Sequence, residues 1–254
     1  MLLPHDDTGS GESVVLLHAG VADRTMWNEH LGPLSAAGYR AVAMDLPGFG
    51  EAPAATGESA PWVDVLETMD ALGLSRAALV GCSFGGAVAL RVAVLAPERV
   101  STLALISAPA PGIEPSEQLE AAWEAEENAL ERGDIDAAVA AVVDAWTLPG
   151  APAELRERVG AMQRRAFELQ SGAEPAPDAE DPLDDDPAGL AGLDVRTLAA
   201  AGAHDMPDFR DGAELLSRTL PRARHAVIDG AGHLAPLETP DAFRALLLEF
   251  LRGG

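Results

Sequence analysis

The chain has 254 residues, of which 48% are hydrophobic and 23% charged, and its 17 basic and 41 acidic residues give a net charge of −24. Such a surface repels phosphate backbones and anionic lipids, so we expect a small-molecule substrate and neither a nucleic-acid nor a membrane partner. All of the basic residues are arginines, and the absence of lysine excludes a Walker P-loop and a Schiff-base lysine.

The N-terminal segment MLLPHDDTGSG contains neither a basic stretch nor a long apolar one. This is not the pattern of a signal peptide, and no run of eighteen apolar residues occurs in the chain, so we expect a cytoplasmic protein without a membrane span. Cys82 is the single cysteine, which excludes a disulfide within the chain.

Short apolar segments alternate along the chain with segments of helical character. The predicted strands are Ser13–His18, Arg40–Asp45, Ala77–Gly81, Val100–Ser107, Val195–Gly202 and Arg224–Asp229. The predicted helices are Trp27–Ala37, Ser59–Leu72, Phe84–Ala96, Phe209–Thr219 and Pro240–Leu251. Most of these strands lack strict apolar–polar alternation, which is typical of strands buried on both faces. The pattern predicts an α/β fold with a mostly parallel sheet flanked by helices.

One long interval, residues 109–193, contains no predicted strand. Its helical segments are Ser116–Arg132, Ile135–Trp146 and Ala153–Gln170. We interpret this interval as a helical cap inserted into a core formed by residues 1–108 and 194–254. The acidic, proline-rich stretch GAEPAPDAEDPLDDDP follows the third helix and is predicted to be a surface loop. Its aspartates Asp184–Asp186 lack the spacing of a calcium-binding loop.

The segment GCSFGG places Ser83 between a predicted strand and a predicted helix. A sharp strand-to-helix turn presents a serine hydroxyl above the sheet, and it needs glycines where the neighbouring chain passes close. This context favours a nucleophilic serine. The alternative that the local sequence leaves open is a glycine-rich helix start that Ser83 merely caps.

A serine nucleophile needs a base, and the base needs a carboxylate that orients it. His233 follows the last predicted strand and Asp205 follows the strand before it. In a parallel sheet both therefore lie at the same edge as Ser83, the edge where ligands bind. Asp208 is a rival for the role of the acid. No His or Cys cluster has the spacing of metal ligands, so no metal is predicted.

The tetrahedral intermediate of acyl transfer needs two backbone N–H donors. Phe84, directly after the nucleophile, is expected to supply one of them. The loop after the first predicted strand, His18–Val21, is expected to supply the other. We expect the side chain of His18 to order this loop through hydrogen bonds rather than to act as a base.

Five segments in this order, LLHAG, DLPGFG, GCSFGG, GAHDMPDF and GAGHLAPLETPDAF, resemble the α/β-hydrolase superfamily in its small esterase, lactonase and haloperoxidase-like branch. The resemblance covers nearly the whole chain and implies the α/β-hydrolase fold with residues 109–193 as the cap. It implies Ser83 as the nucleophile, Asp205 as the acid and His233 as the base. It also implies Gly20 as an oxyanion donor, with Val21 as the alternative.

The chain departs from the family pattern in three places. Ala19 stands where the family usually has glycine, so the oxyanion loop is expected to be tighter or to turn differently. The continuation of DLPGFG with Glu51 departs from the G-x-G-x-S pattern that the family commonly has, and Glu51 would add a charge near the pocket rim. The family usually opens with two antiparallel strands, whereas here the N-terminal edge of the sheet is expected to be shortened.

Together these features predict a cofactor-free serine hydrolase that cleaves small esters or lactones through an acyl-enzyme. We expect Val21 and the cap residues Trp123, Trp146, Leu148 and Met162 to line the pocket, although cap residues at helical spacing can instead pack the cap onto the core. The same triad would also support perhydrolysis, thioester hydrolysis or carbon–carbon bond cleavage. A ligand-binding signalling protein with slow turnover is the non-enzymatic alternative. The substrate and the oligomeric state remain open.

Overall fold

The computed structural model of the chain describes residues 1–173, 176–177, 179–183 and 187–253, with side chains omitted at 187–189. Asp184–Asp186, considered above for calcium binding, lie outside the described residues. The strands in the described part are β1 (His5–Gly9), β2 (Glu12–Leu17), β3 (Tyr39–Met44), β4 (Ala77–Cys82), β5 (Val100–Ile106), β6 (Thr197–Gly202) and β7 (Ala223–Ile228).

These strands form one sheet in the order β1-β3-β2-β4-β5-β6-β7. Each neighbouring pair is parallel except β1 and β3, which are antiparallel. The predicted class, a mostly parallel sheet flanked by helices, is confirmed. The predicted strands occur with bounds that differ from the sequence-based ones by two residues at most.

The helices in the described part are α1 (Asn28–Ala36), α2 (Pro61–Ala71), α3 (Phe84–Leu95), α4 (Glu117–Glu131), α5 (Ile135–Trp146), α6 (Ala153–Ser171), α7 (Pro207–Thr219), α8 (Ala235–Glu238) and α9 (Pro240–Leu251). None of the helices built from described residues is both long and apolar enough to cross a membrane. Helices α4 to α6 lie between β5 and β6, where the cap is predicted. The division into core and cap at residues 109 and 193 stays a prediction.

Strand β1 was not predicted from the sequence. Its residues, HDDTG, are polar and partly exposed because β1 lies at the sheet edge and pairs with β3 alone. The pairing runs from His5 opposite Met44 to Gly9 opposite Arg40. An edge strand binds its neighbour through backbone groups and needs no apolar run. One antiparallel strand therefore precedes β2, where the related family usually has two.

The core consists of two apolar layers, one on each face of the sheet. Along β2, Val14 and Leu16 belong to one layer, whereas Val15 and Leu17 belong to the other. Both faces of this strand are therefore covered, which explains its continuous apolar sequence. Because the central strands are parallel, their carboxyl ends meet at one edge of the sheet, and the loops that follow them lie side by side there.

Candidate active site

Ser83 lies in the turn between β4 and α3 with φ 51° and ψ −117°. Non-glycine residues rarely adopt positive φ, and in the described part of the chain Ser107 is the other example. The position costs conformational energy and persists because the surrounding structure fixes it. The structure thus places Ser83 in the strained strand-to-helix turn that the sequence predicts.

Three glycines allow the chain to pass close to this turn. A Cβ atom at Gly81 would overlap the backbone of Gly85, and one at Gly85 would overlap the carbonyl group of Leu17. At Gly86 a Cβ would lie 2.6 Å from the Cβ of Ala108. Any larger side chain at these positions would push the serine turn away from the neighbouring strands.

His233 and Asp205 are both buried and in direct contact. His233 Nδ1 lies 3.0 Å from Asp205 Oδ1, which also accepts a 2.8 Å hydrogen bond from the Met206 N–H. Since Nδ1 faces the carboxylate, Nε2 is the imidazole nitrogen available to a serine. Ser83 and His233 line the same cavity. The described structure has no hydrogen bond between Ser83 Oγ and His233, and such bonds often tighten only in the substrate complex.

The imidazole of His233 packs between two aromatic rings. Its centroid lies 4.5 Å from that of Trp146, at the end of α5, and 4.2 Å from that of Phe209, in α7. The two aromatic rings also contact each other in a T-shaped arrangement with centroids 5.8 Å apart. Residues of α5 and α7 therefore both restrict the orientation of this histidine.

Asp208 contacts a different part of the molecule from Asp205. Its carboxylate accepts hydrogen bonds from the backbone N–H of Ser116 at 2.6 Å and from the Ser116 hydroxyl at 2.7 Å. Burial alone would raise the pKa of Asp208, but the hydrogen bonds from Ser116 outweigh it and lower the pKa. Ser116 caps the N-terminus of α4, so Asp208 connects the core to this helix.

The loop between β2 and α1 brings Gly20 next to Phe84. A Cβ on Gly20 would lie 3.4 Å from the Cβ of Phe84, and both residues line the cavity that contains Ser83. Neither backbone N–H donates to an acceptor within the described part of the chain. Both groups are therefore available to a ligand oxygen.

His18 fixes the start of this loop. Its Nδ1 lies 2.8 Å from the carbonyl oxygen of Ala19, and its Nε2 accepts a 2.9 Å hydrogen bond from the Leu46 N–H. These partners require a neutral ring with its proton on Nδ1. Burial also lowers the pKa of His18, which favours the same state. The expected ordering contacts are present.

The cavity has a volume of about 470 Å³ and a mainly apolar lining. Of the predicted pocket residues, Val21, Trp123 and Trp146 line it, whereas Leu148 and Met162 do not. Trp123 is about half exposed at the cavity mouth, with 49% of its surface accessible. The prediction of cap residues in the pocket wall therefore needs correction at two positions.

Leu148 and Met162 pack elsewhere. Leu148 lies beside Gly232, and its backbone N–H donates to Glu238 Oε1 at 3.0 Å. Met162 is buried in the core, where its sulfur lies 3.5 Å from the hydroxyl oxygen of Thr25. Helical spacing identifies the apolar face of a cap helix, but it does not say whether a given residue on that face meets the cavity or the core.

Glu238 was missed by the sequence analysis. Its carboxylate accepts hydrogen bonds from the N–H groups of Gly232 at 2.7 Å and Leu148 at 3.0 Å, so it joins the loop before His233 to the segment that follows α5. Burial raises the pKa of Glu238, and the two N–H donors offset part of that effect. Its position five residues after His233, in LETP, is the signal that was available.

Two polar side chains in the cavity wall were also missed, Glu126 in α4 and Gln163 in α6. Burial raises the pKa of Glu126. Gln163 is spaced four residues from each of two buried apolar residues, Val159 and Phe167. A polar residue in the middle of an apolar helix face was the signal that could have identified it.

Cys82 precedes Ser83 and is completely buried, with its sulfur 3.7 Å from the carbonyl oxygen of His233. Burial raises the pKa of this thiol well above its usual range, and the nearby carboxylates Asp205 and Glu238 raise it further. Across the described residues, no group of three His, Cys, Asp or Glu side chains is arranged to hold a metal ion.

The family model described as alpha/beta hydrolase fold matches residues 12–240. The chain belongs to the α/β-hydrolase family. A 2-hydroxy-6-oxo-6-phenylhexa-2,4-dienoate hydrolase from Comamonas testosteroni is 38% identical over 112 residues. That alignment covers 41% of this chain and 39% of the relative, so the match spans well under half of either protein.

Solved structures are similar over almost the full chain. An esterase from Thermogutta terrifontis is 29% identical with a TM-score of 0.77, and the alignment covers 98% of this chain and 93% of that one. An enol-lactonase from Burkholderia xenovorans has the same fold, with a TM-score of 0.77, 22% identity and coverage of 98% and 96%. Family membership and relatives named as hydrolases together support a hydrolase.

Proposed function

We propose that this protein is a cofactor-free serine hydrolase that cleaves small uncharged esters or lactones. One observation carries the proposal. His233, which contacts the buried carboxylate of Asp205, lines the same cavity as Ser83, and Ser83 is presented from a strained turn. The full-length similarity to an esterase, at 29% identity, adds support.

The proposed reaction begins when Ser83 Oγ attacks the substrate carbonyl carbon and transfers its proton to His233 Nε2. The Gly20 and Phe84 N–H groups stabilise the oxyanion, and Asp205 stabilises the imidazolium. Collapse of the intermediate breaks the bond to the alcohol oxygen, which takes the proton from His233. A water molecule, deprotonated by His233, then attacks the acyl-enzyme and releases the acid and free Ser83.

The charges in the cavity favour an uncharged substrate. Glu126 and Asp208 line it, whereas no arginine does among the described residues, and the chain has no lysine. A carboxylate brought into this cavity would lose its hydration and meet charges of its own sign. Hydrolysis of a dienoate, named for the Comamonas relative, is the second candidate, and sequence identity supports it. The dienoate is an anion, and the cavity charges favour the neutral ester over it.

The proposal is tested with a fluorophosphonate probe and p-nitrophenyl esters. We expect the probe to label Ser83, and Ser83→Ala to abolish labelling and to lower kcat by about 10⁴-fold or more. Ser107→Ala is the matched control, because Ser107 is the other strained serine but does not line the cavity. Undiminished turnover in Ser83→Ala would contradict the mechanism. Labelling with no ester turnover would instead support the slow ligand-binding alternative.

A further inference from the structure

Gln163 is an unpaired polar group in the wall of the cavity. Only 4% of the surface of Gln163 is exposed, and its Oε1 is buried without a hydrogen-bond partner in the described structure. Its Nε2 donates no hydrogen bond to any described residue either. Buried amides are almost always bonded, and an unpaired one lowers stability, so an exception in a cavity wall calls for a reason.

The position of this amide is fixed by its helix. Two hydrogen bonds attach α6 to a loop of the core, Arg165 Nε to Gly50 O at 2.5 Å and Gln170 Nε2 to Gly48 O at 3.2 Å. One turn away on either side of Gln163, Val159 and Phe167 are buried in the core. The helix therefore cannot rotate to bring the amide into solvent.

We propose that Gln163 binds an uncharged hydrogen-bonding group of the substrate, and that a secondary amide is the group it fits best. A secondary amide offers one N–H and one C=O, which complement the Oε1 and Nε2 of a glutamine. The complementarity holds whichever way the glutamine amide is turned. The proposal rests on the proposed function and narrows it to neutral esters or lactones that carry such a group.

The surroundings of Gln163 disfavour a charged partner. A carboxylate on the substrate would face Glu126 and Asp208 with no cation in the described lining. An ammonium group would use the oxygen of Gln163 but leave its N–H donors unpaired. A neutral group that both donates and accepts a hydrogen bond can pair with both the oxygen and the N–H donors of the Gln163 side chain. Such pairing gives strong substrate specificity, because a substrate that lacks this group leaves the Gln163 amide unpaired.

The test compares Gln163→Met with wild type on two matched pairs of esters. The first pair, p-nitrophenyl acetamidobutanoate and p-nitrophenyl heptanoate, varies the acyl group at constant chain length. The second pair, p-acetamidophenyl acetate and p-propylphenyl acetate, varies the alcohol. Met162→Leu is the control, since Met162 is the neighbouring buried residue outside the cavity lining. Comparing variant with wild type cancels the intrinsic reactivity of each ester.

We expect Gln163→Met to lower kcat/KM for the amide ester of at least one pair by about tenfold or more, with the alkyl partner unchanged or faster. We also expect its thermal midpoint to rise, because an apolar side chain of similar shape removes an unpaired buried amide. An unchanged amide-to-alkyl ratio in both pairs, or a lowered thermal midpoint, overturns this proposal alone. No turnover of any of the four esters overturns the proposed function and this inference with it.

Discussion

Asp205 Oδ1 lies 3.0 Å from His233 Nδ1, whereas Asp208, three residues further along the chain in α7, bonds to Ser116. The carboxylate that the family resemblance implies as the acid and its rival thus contact different parts of the molecule. One faces the imidazole at the carboxyl edge of the sheet. The other holds the N-terminus of α4 against the core.

Substitution of these two residues should separate their effects. We expect Asp205→Asn to lower kcat/KM by about 10⁴-fold, because an amide fixes the wrong imidazole tautomer and cannot stabilise the imidazolium. Asp208→Asn should stay within about tenfold of wild type and lower the thermal midpoint, since it weakens the contact with Ser116. Kinetics on one activated ester check this. A severe loss in Asp208→Asn, with Asp205→Asn nearly normal, would reassign the acid.

The sequence predicted those parts of the fold and site that depend on local pattern. The β4–Ser83–α3 turn was identified because its glycines and its neighbouring apolar segments lie within a single stretch of chain. Strand β1 was missed because an edge strand pairs through its backbone, so HDDTG carries no apolar signal. Short polar strands at a sheet edge are specified by their partner rather than by their own side chains.

The cavity wall was predicted less well, for a geometric reason. Trp146 and Met162 look alike in sequence, as large apolar residues of cap helices, but only Trp146 meets the cavity. Which side of a cap helix faces substrate depends on how the cap packs on the core, and local spacing does not contain that information. Gln163 was not predicted because a single polar residue on an apolar helix face does not fit the apolar pattern that indicates a pocket wall.

Cys82 should be dispensable for catalysis although it adjoins Ser83. Burial keeps its thiol protonated by raising the pKa well above the usual range, so no thiolate nucleophile is present. We expect Cys82→Ala to retain most of the wild-type kcat/KM, and the native wild-type protein to resist alkylation by iodoacetamide. If Cys82→Ala loses its activity while its circular dichroism spectrum and thermal midpoint stay normal, the thiol takes part in the chemistry.

Glu126 should discriminate against anionic substrates. A p-nitrophenyl monoester of a dicarboxylic acid is compared with an alkyl ester of the same chain length. Removing one negative charge from the cavity wall by Glu126→Gln should raise kcat/KM for the anionic ester by about fivefold to tenfold, a free-energy change of about 1 to 1.4 kcal/mol. The neutral ester should change little.

Glu124→Gln is the matched control for this experiment. Glu124 lies on the same helix, but it is exposed and does not line the cavity. Solvent screens the charge of an exposed side chain outside the cavity, so Glu124→Gln should leave the ratio of kcat/KM between the anionic and the neutral ester unchanged. Equal effects of the two substitutions would mean that the net charge of the protein, not the cavity wall, repels the anion.

Two buried histidines should make the protein less stable in mild acid. Burial lowers the pKa of both His18 and His30 in the folded state. Because the unfolded chain takes up these protons at about pH 6.5, the folded state is disfavoured as the pH falls through that value. Their contribution to stability is complete above the ordinary histidine pKa and declines below it, by up to about 1.4 kcal/mol per pH unit for each group.

Denaturant unfolding at a series of pH values between about 8 and 5, a window around the ordinary histidine pKa, measures this slope. His30→Gln and His18→Gln should each flatten it, whereas His225→Gln, a substitution at an exposed position, is the control. His18→Gln should also lower kcat/KM, because His18 joins the oxyanion loop at Ala19 to the N–H of Leu46. His30 bonds instead to the carbonyl oxygen of Pro236, and it does not line the cavity. A slope that survives both buried substitutions would place the acid sensitivity in other groups.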